Sequence, residues 1–214
     1  MISPRIFIPA AAALALLAAA HPASAQVLLS DTFNSENGGV GQLNYTGFAN
    51  FNASNVDLIG NGYFDYLPGN GLYVDLSGNS NGSLTSKTEY ALAPGTYELQ
   101  FALGNPDRGG YDVAANSTTV TLGSVYSQTF QLPVANQFTT FTEDFTVSSA
   151  TTGFLSFAEN NPTPAGDYLD NVSLTQTSAP VPEASTTVSF GLLLALGLGG
   201  LAVAVKRKQI AASA

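Results

Sequence analysis

The chain has no cysteine and no tryptophan, and its 214 residues include one methionine and one histidine. The methionine is Met1 and the histidine is His21, both inside a leader that the sequence marks for removal. What remains carries neither imidazole nor thiol. A Ser-His-Asp or Cys-His nucleophile is excluded, as is a histidine-ligated zinc or haem. Without cysteine no disulfide supports the fold, so the hydrophobic core must do so alone. Basic residues are scarce too, with 6 Lys and Arg against 15 Asp and Glu. Fourteen of those acids lie in 26–175 and face only Lys87 and Arg108, a net charge of −12 for that body. Such a surface repels phosphate backbones, which makes nucleic acid a poor partner. It attracts divalent cations.

Long apolar runs occur at the two ends and not between them. At the N-terminus Arg5 precedes an Ala/Leu run over 10–20, and Ala23-Ser24-Ala25 has the small-x-small form of a signal-peptide cleavage site. Residues 1–25 are expected to be a signal peptide, cut between Ala25 and Gln26. At the other end an uncharged run over 188–205 is about eighteen residues long, the lower part of the range that spans a bilayer as a helix. Lys206-Arg207-Lys208 follow at once, and the positive-inside rule places 206–214 in the cytoplasm. The body, 26–175, is then outside the cell, joined to the helix by a Thr/Ser/Pro-rich linker over 176–187.

The body has the texture of an all-β domain. Short alternating runs are separated by Gly, Asn, Pro and Ser clusters roughly every ten residues, the spacing of a sandwich or barrel. Leu72, Val74 and Leu76 alternate with Tyr73 and Asp75. Tyr97, Leu99, Phe101 and Leu103 share one parity, as do Phe141, Phe145 and Val147, Leu155 and Phe157, and Val172 and Leu174. A period of two puts each set on one face of a strand. Gly60-Asn61-Gly62, Gly69-Asn70-Gly71 and Ala93-Pro94-Gly95-Thr96 are turn signals, since Gly and Asn tolerate positive φ and Pro presets it. The expectation from this pattern is an antiparallel β-sandwich of about eight strands. Residues 34–62 are the least regular part, either strands with long loops or a loop-rich lid.

Carboxylates are the acid/base groups present in number. A glycosidase needs two of them facing each other across a cleft, and Glu159 with Asp167 or Asp170 is the pairing that sequence proximity allows. Glu143 and Asp144 point to opposite faces of a strand and cannot pair. Ser77-Gly78-Asn79-Ser80-Asn81-Gly82 has the outline of a calcium loop but lacks its first Asp, and Thr88 stands where the bidentate Glu is needed. It reads as a turn. Tyr45, Phe48, Phe51, Tyr63, Tyr66 and Tyr111 lie in or beside the irregular segments, where aromatic faces suit sugar rings. The competing role for each is core packing.

The tail Val181-Pro182-Glu183-Ala184-Ser185-Thr186, the Leu/Gly-rich run and the basic terminus together resemble the PEP-CTERM sorting signal of Gram-negative bacteria, with Ala184 where a second proline is usual. The resemblance implies an exosortase-type enzyme as partner, processing near Pro182 and Glu183, and delivery to the cell surface, outer membrane or extracellular matrix beside exopolysaccharide. Gly71-Leu72-Tyr73-Val74-Asp75-Leu76, Leu92-Ala93-Pro94-Gly95-Thr96-Tyr97-Glu98-Leu99 and Leu169-Asp170-Asn171-Val172-Ser173-Leu174 resemble galactose-binding-like jelly rolls such as carbohydrate-binding modules. That likeness implies a structural calcium, with Asp170 as last-strand ligand and Asn34 standing where an acidic ligand is usual. The combined expectation is a non-enzymatic, adhesive or structural surface protein that holds polysaccharide. The alternatives are a secreted carbohydrate-active hydrolase and a plain single-span membrane protein.

Overall fold

The computed structural model describes residues 25–105, 108, 116–134, 136–161 and 163–178. The signal peptide, Tyr111, Pro182, Glu183, the apolar run over 188–205 and the basic tail lie outside them. Among the described residues there is no α-helix, and none is long and apolar enough to cross a membrane.

The described residues form thirteen strands and one short 3-10 turn, Glu36–Gly39. The strands are β1 (Gln26–Asp31), β2 (Phe51–Ser54), β3 (Asp57–Gly60), β4 (Leu72–Asp75), β5 (Ser83–Ser86), β6 (Tyr90–Leu92) and β7 (Gly95–Asn105). They continue with β8 (Ser117–Leu122), β9 (Tyr126–Gln131), β10 (Asn136–Val147), β11 (Thr151–Gly153), β12 (Leu155–Glu159) and β13 (Tyr168–Ser178). One sheet runs β10-β7-β13-β4-β3, with β1 also paired to β13. The other runs β2-β5-β12-β8-β9, and β6 and β11 form a two-stranded corner. Every pairing is antiparallel. The all-β, antiparallel expectation holds, but thirteen strands replace about eight. The excess is short: the corner strands have three residues each and β2 to β5 four each. Residues 34–62 are strands with long loops.

One core joins the two large sheets. Tyr97, Leu99, Phe101 and Leu103 point inward from β7, as their alternation requires, and all four are buried. Phe101 bridges the layers, its ring 5.7 Å from Phe141 in its own sheet and 5.1 and 5.4 Å from Phe130 and Phe157 in the facing one. Edge-on and offset contacts of this kind add about 0.5–1.5 kcal/mol per pair beyond burial itself. The loops after β1 bring Phe33, Tyr45 and Phe48 into the same core.

β3 and β4 break the half-buried pattern. All four residues of each are buried. Leu58, Leu72 and Val74 face the sandwich interior, while Ile59 and Tyr73 join Leu67 and Tyr168 in a second, smaller cluster on the outer face of the sheet. A loop over 61–71, between β3 and β4, covers that face.

Candidate functional site

That loop is built to hold its shape. Gly60 and Tyr63 exchange backbone hydrogen bonds of 2.9 and 3.0 Å. Gly60 has φ +108, and a Cβ there would lie 2.1 Å from the Gly71 carbonyl oxygen, so no side chain fits. The Asp65 carboxylate accepts from Gly62 N–H at 3.1 Å and from the Tyr73 hydroxyl at 3.1 Å, and the same hydroxyl accepts from Leu67 N–H at 2.9 Å. Burial raises the Tyr73 hydroxyl's pKa, which keeps that donor in place. The result is a stiff ridge carrying Tyr63, Phe64 and Tyr66, which are 38, 50 and 40 % exposed. Phe64 has φ +44, a left-handed conformation that costs a non-glycine residue about 1–2 kcal/mol. A left-handed backbone at a bulky, exposed residue singles out the ridge as a candidate site.

Beneath the ridge lies a cleft of about 240 Å³, lined by Leu43, Asp57, Ile59, Phe64, Tyr66, Asp75, Arg108 and Pro164. Its floor is set by register. Asp57 on β3 stands opposite Asp75 on β4, and Asp75 stands opposite Tyr168 on β13, so the three side chains share one face. Like charges directly opposite are destabilising, and Arg108 offsets this pair. Its guanidinium forms an ion pair with Asp75 and donates to the Pro164 carbonyl at 3.1 Å. It lies 4.6 Å from the centre of the Tyr168 ring and 5.0 Å from that of Tyr66, within cation–π range of both. Burial pushes Asp75 up to about 7 despite Arg108. Burial also raises Asp57, against the hydrogen bond from Asn44 N–H at 2.6 Å and the nearby Arg108 charge.

The structure sorts the six aromatics expected near a sugar site. Tyr45, Phe48 and Phe51 are core residues, Tyr63 and Tyr66 stand on the exposed ridge, and Tyr111 is outside the described residues. Phe64, Leu43, Asp57, Asp75 and Arg108 were not picked out by sequence. The Gly60-Asn61-Gly62 and Gly69-Asn70-Gly71 turns that bracket Tyr63-Phe64-Asp65-Tyr66 were the available signal.

Glu159 and Asp167 do converge, but both are buried. Glu159 is 3 % exposed and Asp167 fully buried. Glu159 accepts four backbone N–H groups, from Ser117, Asn160, Asn161 and Asp167, at 2.9–3.3 Å. Asp167 accepts from the Thr118 hydroxyl at 2.9 Å through one oxygen, while its other oxygen has no partner among the described residues. Burial, then the Glu159 charge, pushes Asp167 up to about 8. A carboxylate engaged by four N–H groups in a closed interior is a structural anchor, unlike the open pair of a glycosidase.

Asp170 is buried on β13, where it accepts from Asn171 N–H at 2.7 Å and from the Asn171 amide at 3.0 Å. Burial pushes it up to about 7, and the carboxylate of Asp31 at the end of β1 adds to the rise. Asn34 turns its amide oxygen onto Leu72 N–H at 2.8 Å. Among the described residues no three carboxylates or imidazoles gather around one point as metal ligands. The Ser77–Gly82 stretch is a turn, closed by the Asn55 amide, which donates to the Ser80 and Asn81 carbonyls. Ala25 is exposed and Gln26 begins β1.

No protein-family model matches the chain, and no curated protein is similar to it in sequence. Among solved structures it is similar to the K3 cleaved adhesin domain of Lys-gingipain from Porphyromonas gingivalis, at 17 % identity over 71 % of this chain and 99 % of that one, with a TM-score of 0.47. It is also similar to a family 35 carbohydrate-binding module from Clostridium thermocellum, at 13 % identity over 71 % and 98 %, and to the C-terminal family 6 module of LamC from Zobellia galactanivorans, at 13 % over 60 % and 93 %, each with a TM-score of 0.38. Likenesses this distant leave the site's chemistry to be argued from its own residues.

Proposed function

We propose that this is an exported, surface-sorted, non-enzymatic protein whose β-sandwich binds a saccharide unit of a polysaccharide in the cleft under the 61–71 ridge. The observation that carries the reading is the strained, exposed Phe64 beside Tyr66 over a polar floor, on a loop anchored by Asp65 and Tyr73. An apolar wall with a few fixed polar groups is the usual make-up of a small-ligand site. The volume of about 240 Å³ is below the roughly 300–1,000 Å³ of sites that enclose a drug-sized ligand, and it suits one sugar ring rather than a chain. Retention of the full-length protein on a panel of immobilised polysaccharides tests this. Binding to at least one, lost in Tyr66→Ala, is expected; retention on none removes the reading.

Export rests on the leader ending at Ala25, and sorting on Pro182-Glu183 with the 188–205 run and its basic stop, as an exosortase-type enzyme would read them. A mature N-terminus at Gln26 and a C-terminus lacking Lys206-Arg207-Lys208, read by mass spectrometry, would support both. A calcium ion near Asp170 is a second proposal, favoured by the neighbouring Asp31 carboxylate. Calcium takes six to eight oxygen ligands, so Asp170, Asp31 and the Asn34 amide oxygen would be joined by carbonyls or water.

A further inference from the structure

We propose that the cleft selects an amine-bearing sugar, a de-N-acetylated amino-hexose unit, with the ammonium group seated on Asp57 and the ring against Phe64 and Tyr66. This deepens the saccharide reading and rests on it.

The argument begins with the charges of the floor. Among the described residues two carboxylates and one guanidinium line the cleft, and the guanidinium is engaged by Asp75 and the Pro164 carbonyl while lying against the Tyr66 and Tyr168 rings. Asp57 feels the Arg108 charge from a distance but is left, among the described residues, without a direct ion pair. It is 8 % exposed, lines the cleft, and accepts one hydrogen bond among the described residues, from Asn44 N–H to Oδ1. Its Oδ2 keeps its hydrogen-bonding capacity for a ligand. A desolvated carboxylate in this state is best met by a cation with N–H donors, and burial already works against its charge.

The ligand must therefore bring positive charge and an apolar face at the size of one ring. An amino-hexose has both. A uronic acid meets repulsion, because Arg108 is engaged and the surrounding body carries −12. A neutral hexose fits the walls but leaves Asp57 unpaired, and an N-acetylated unit puts an uncharged amide in its place. A lysine side chain offers the charge without the ring, so it forgoes the exposed faces of Phe64 and Tyr66.

The test is calorimetric titration of the full-length protein with a glucosamine oligosaccharide, its fully N-acetylated counterpart, a glucuronic acid oligomer and a lysine oligopeptide, repeated with Asp57→Asn. The amine form is expected to bind about tenfold or more tighter than the N-acetylated form, and the preference is expected to collapse in Asp57→Asn with the melting temperature maintained. Equal binding of the two forms overturns the amine assignment and leaves the saccharide reading intact. Binding of no oligosaccharide overturns both. A preference that survives Asp57→Asn overturns the assignment in favour of the overall acidic surface, and tighter binding of the lysine peptide overturns it in favour of a protein ligand.

Discussion

Asp57 and Asp75 stand opposite each other on β3 and β4, and it is Asp75 that takes the guanidinium of Arg108. The asymmetry divides their work. Asp75 is engaged by Arg108, which lies against Tyr66 and Tyr168, and Asp57 is left as the cleft carboxylate without a direct ion pair among the described residues.

Arg108 is expected to matter for stability. Removing one partner of a buried pair leaves the other charge uncompensated, at a cost of about 3–5 kcal/mol. Urea unfolding of Arg108→Ala should show a loss of that size near neutral pH. Because Asp75 is pushed up to about 7, the loss should shrink at pH 5, where the carboxyl is protonated. A variant as stable as wild type at pH 8 would contradict this account.

Phe64 is expected to matter for binding and not for stability. Phe64→Gly relieves a left-handed strain of about 1–2 kcal/mol and adds a chain-entropy cost of about 0.5–1 kcal/mol. The cost, together with the lost contact of the half-buried ring with Tyr63, offsets the relief, so the melting temperature should shift little while polysaccharide retention falls. A large destabilisation would mean that the exposed ring is a packing element after all.

The buried carboxyls predict a pH dependence with a definite sign. Asp167 is pushed up to about 8, and Asp75 and Asp170 to about 7, each first by burial, from an ordinary value of 3.8. The folded chain keeps these protons where the unfolded chain has lost them. That contribution is complete below about pH 4 and is lost as pH rises through the folded values toward 8. Calorimetry at constant ionic strength should give a higher melting temperature at pH 5 than at pH 8.5. Asp167→Asn should flatten the upper end of the curve.

Calcium should reverse part of that trend if it is held near Asp170. Added calcium would raise the melting temperature at pH 8, and Asp170→Asn would abolish the increase. No response to millimolar calcium would rule out a structural ion there.

Phe101 tests the core. Its ring contacts three others across both sheets, so Phe101→Ala should cost about 3–5 kcal/mol in chemical denaturation. A cost near 1 kcal/mol would mean that the layers close around the missing ring.

Alternation, composition and charge were readable in the linear chain. Tyr97 to Leu103 on β7 shows why: a strand's side chains alternate whatever the surrounding fold, so a run of shared parity identifies a face. The lack of imidazole and thiol in the body, and its surplus of carboxylates, follow from counting. Alternation is silent on whether the second face of a strand is covered. Tyr73 and Asp75 looked like the outward half of β4, yet both are buried because the 61–71 loop and Arg108 close over them. Nor does sequence distance report proximity: Asp57, Asp75 and Arg108 meet through strand register and a loop crossing, while Glu159 and Asp167, close in the chain and in space, are sealed inside. Local periodicity arises within a strand, whereas the cleft exists because separate strands and loops pack against one another.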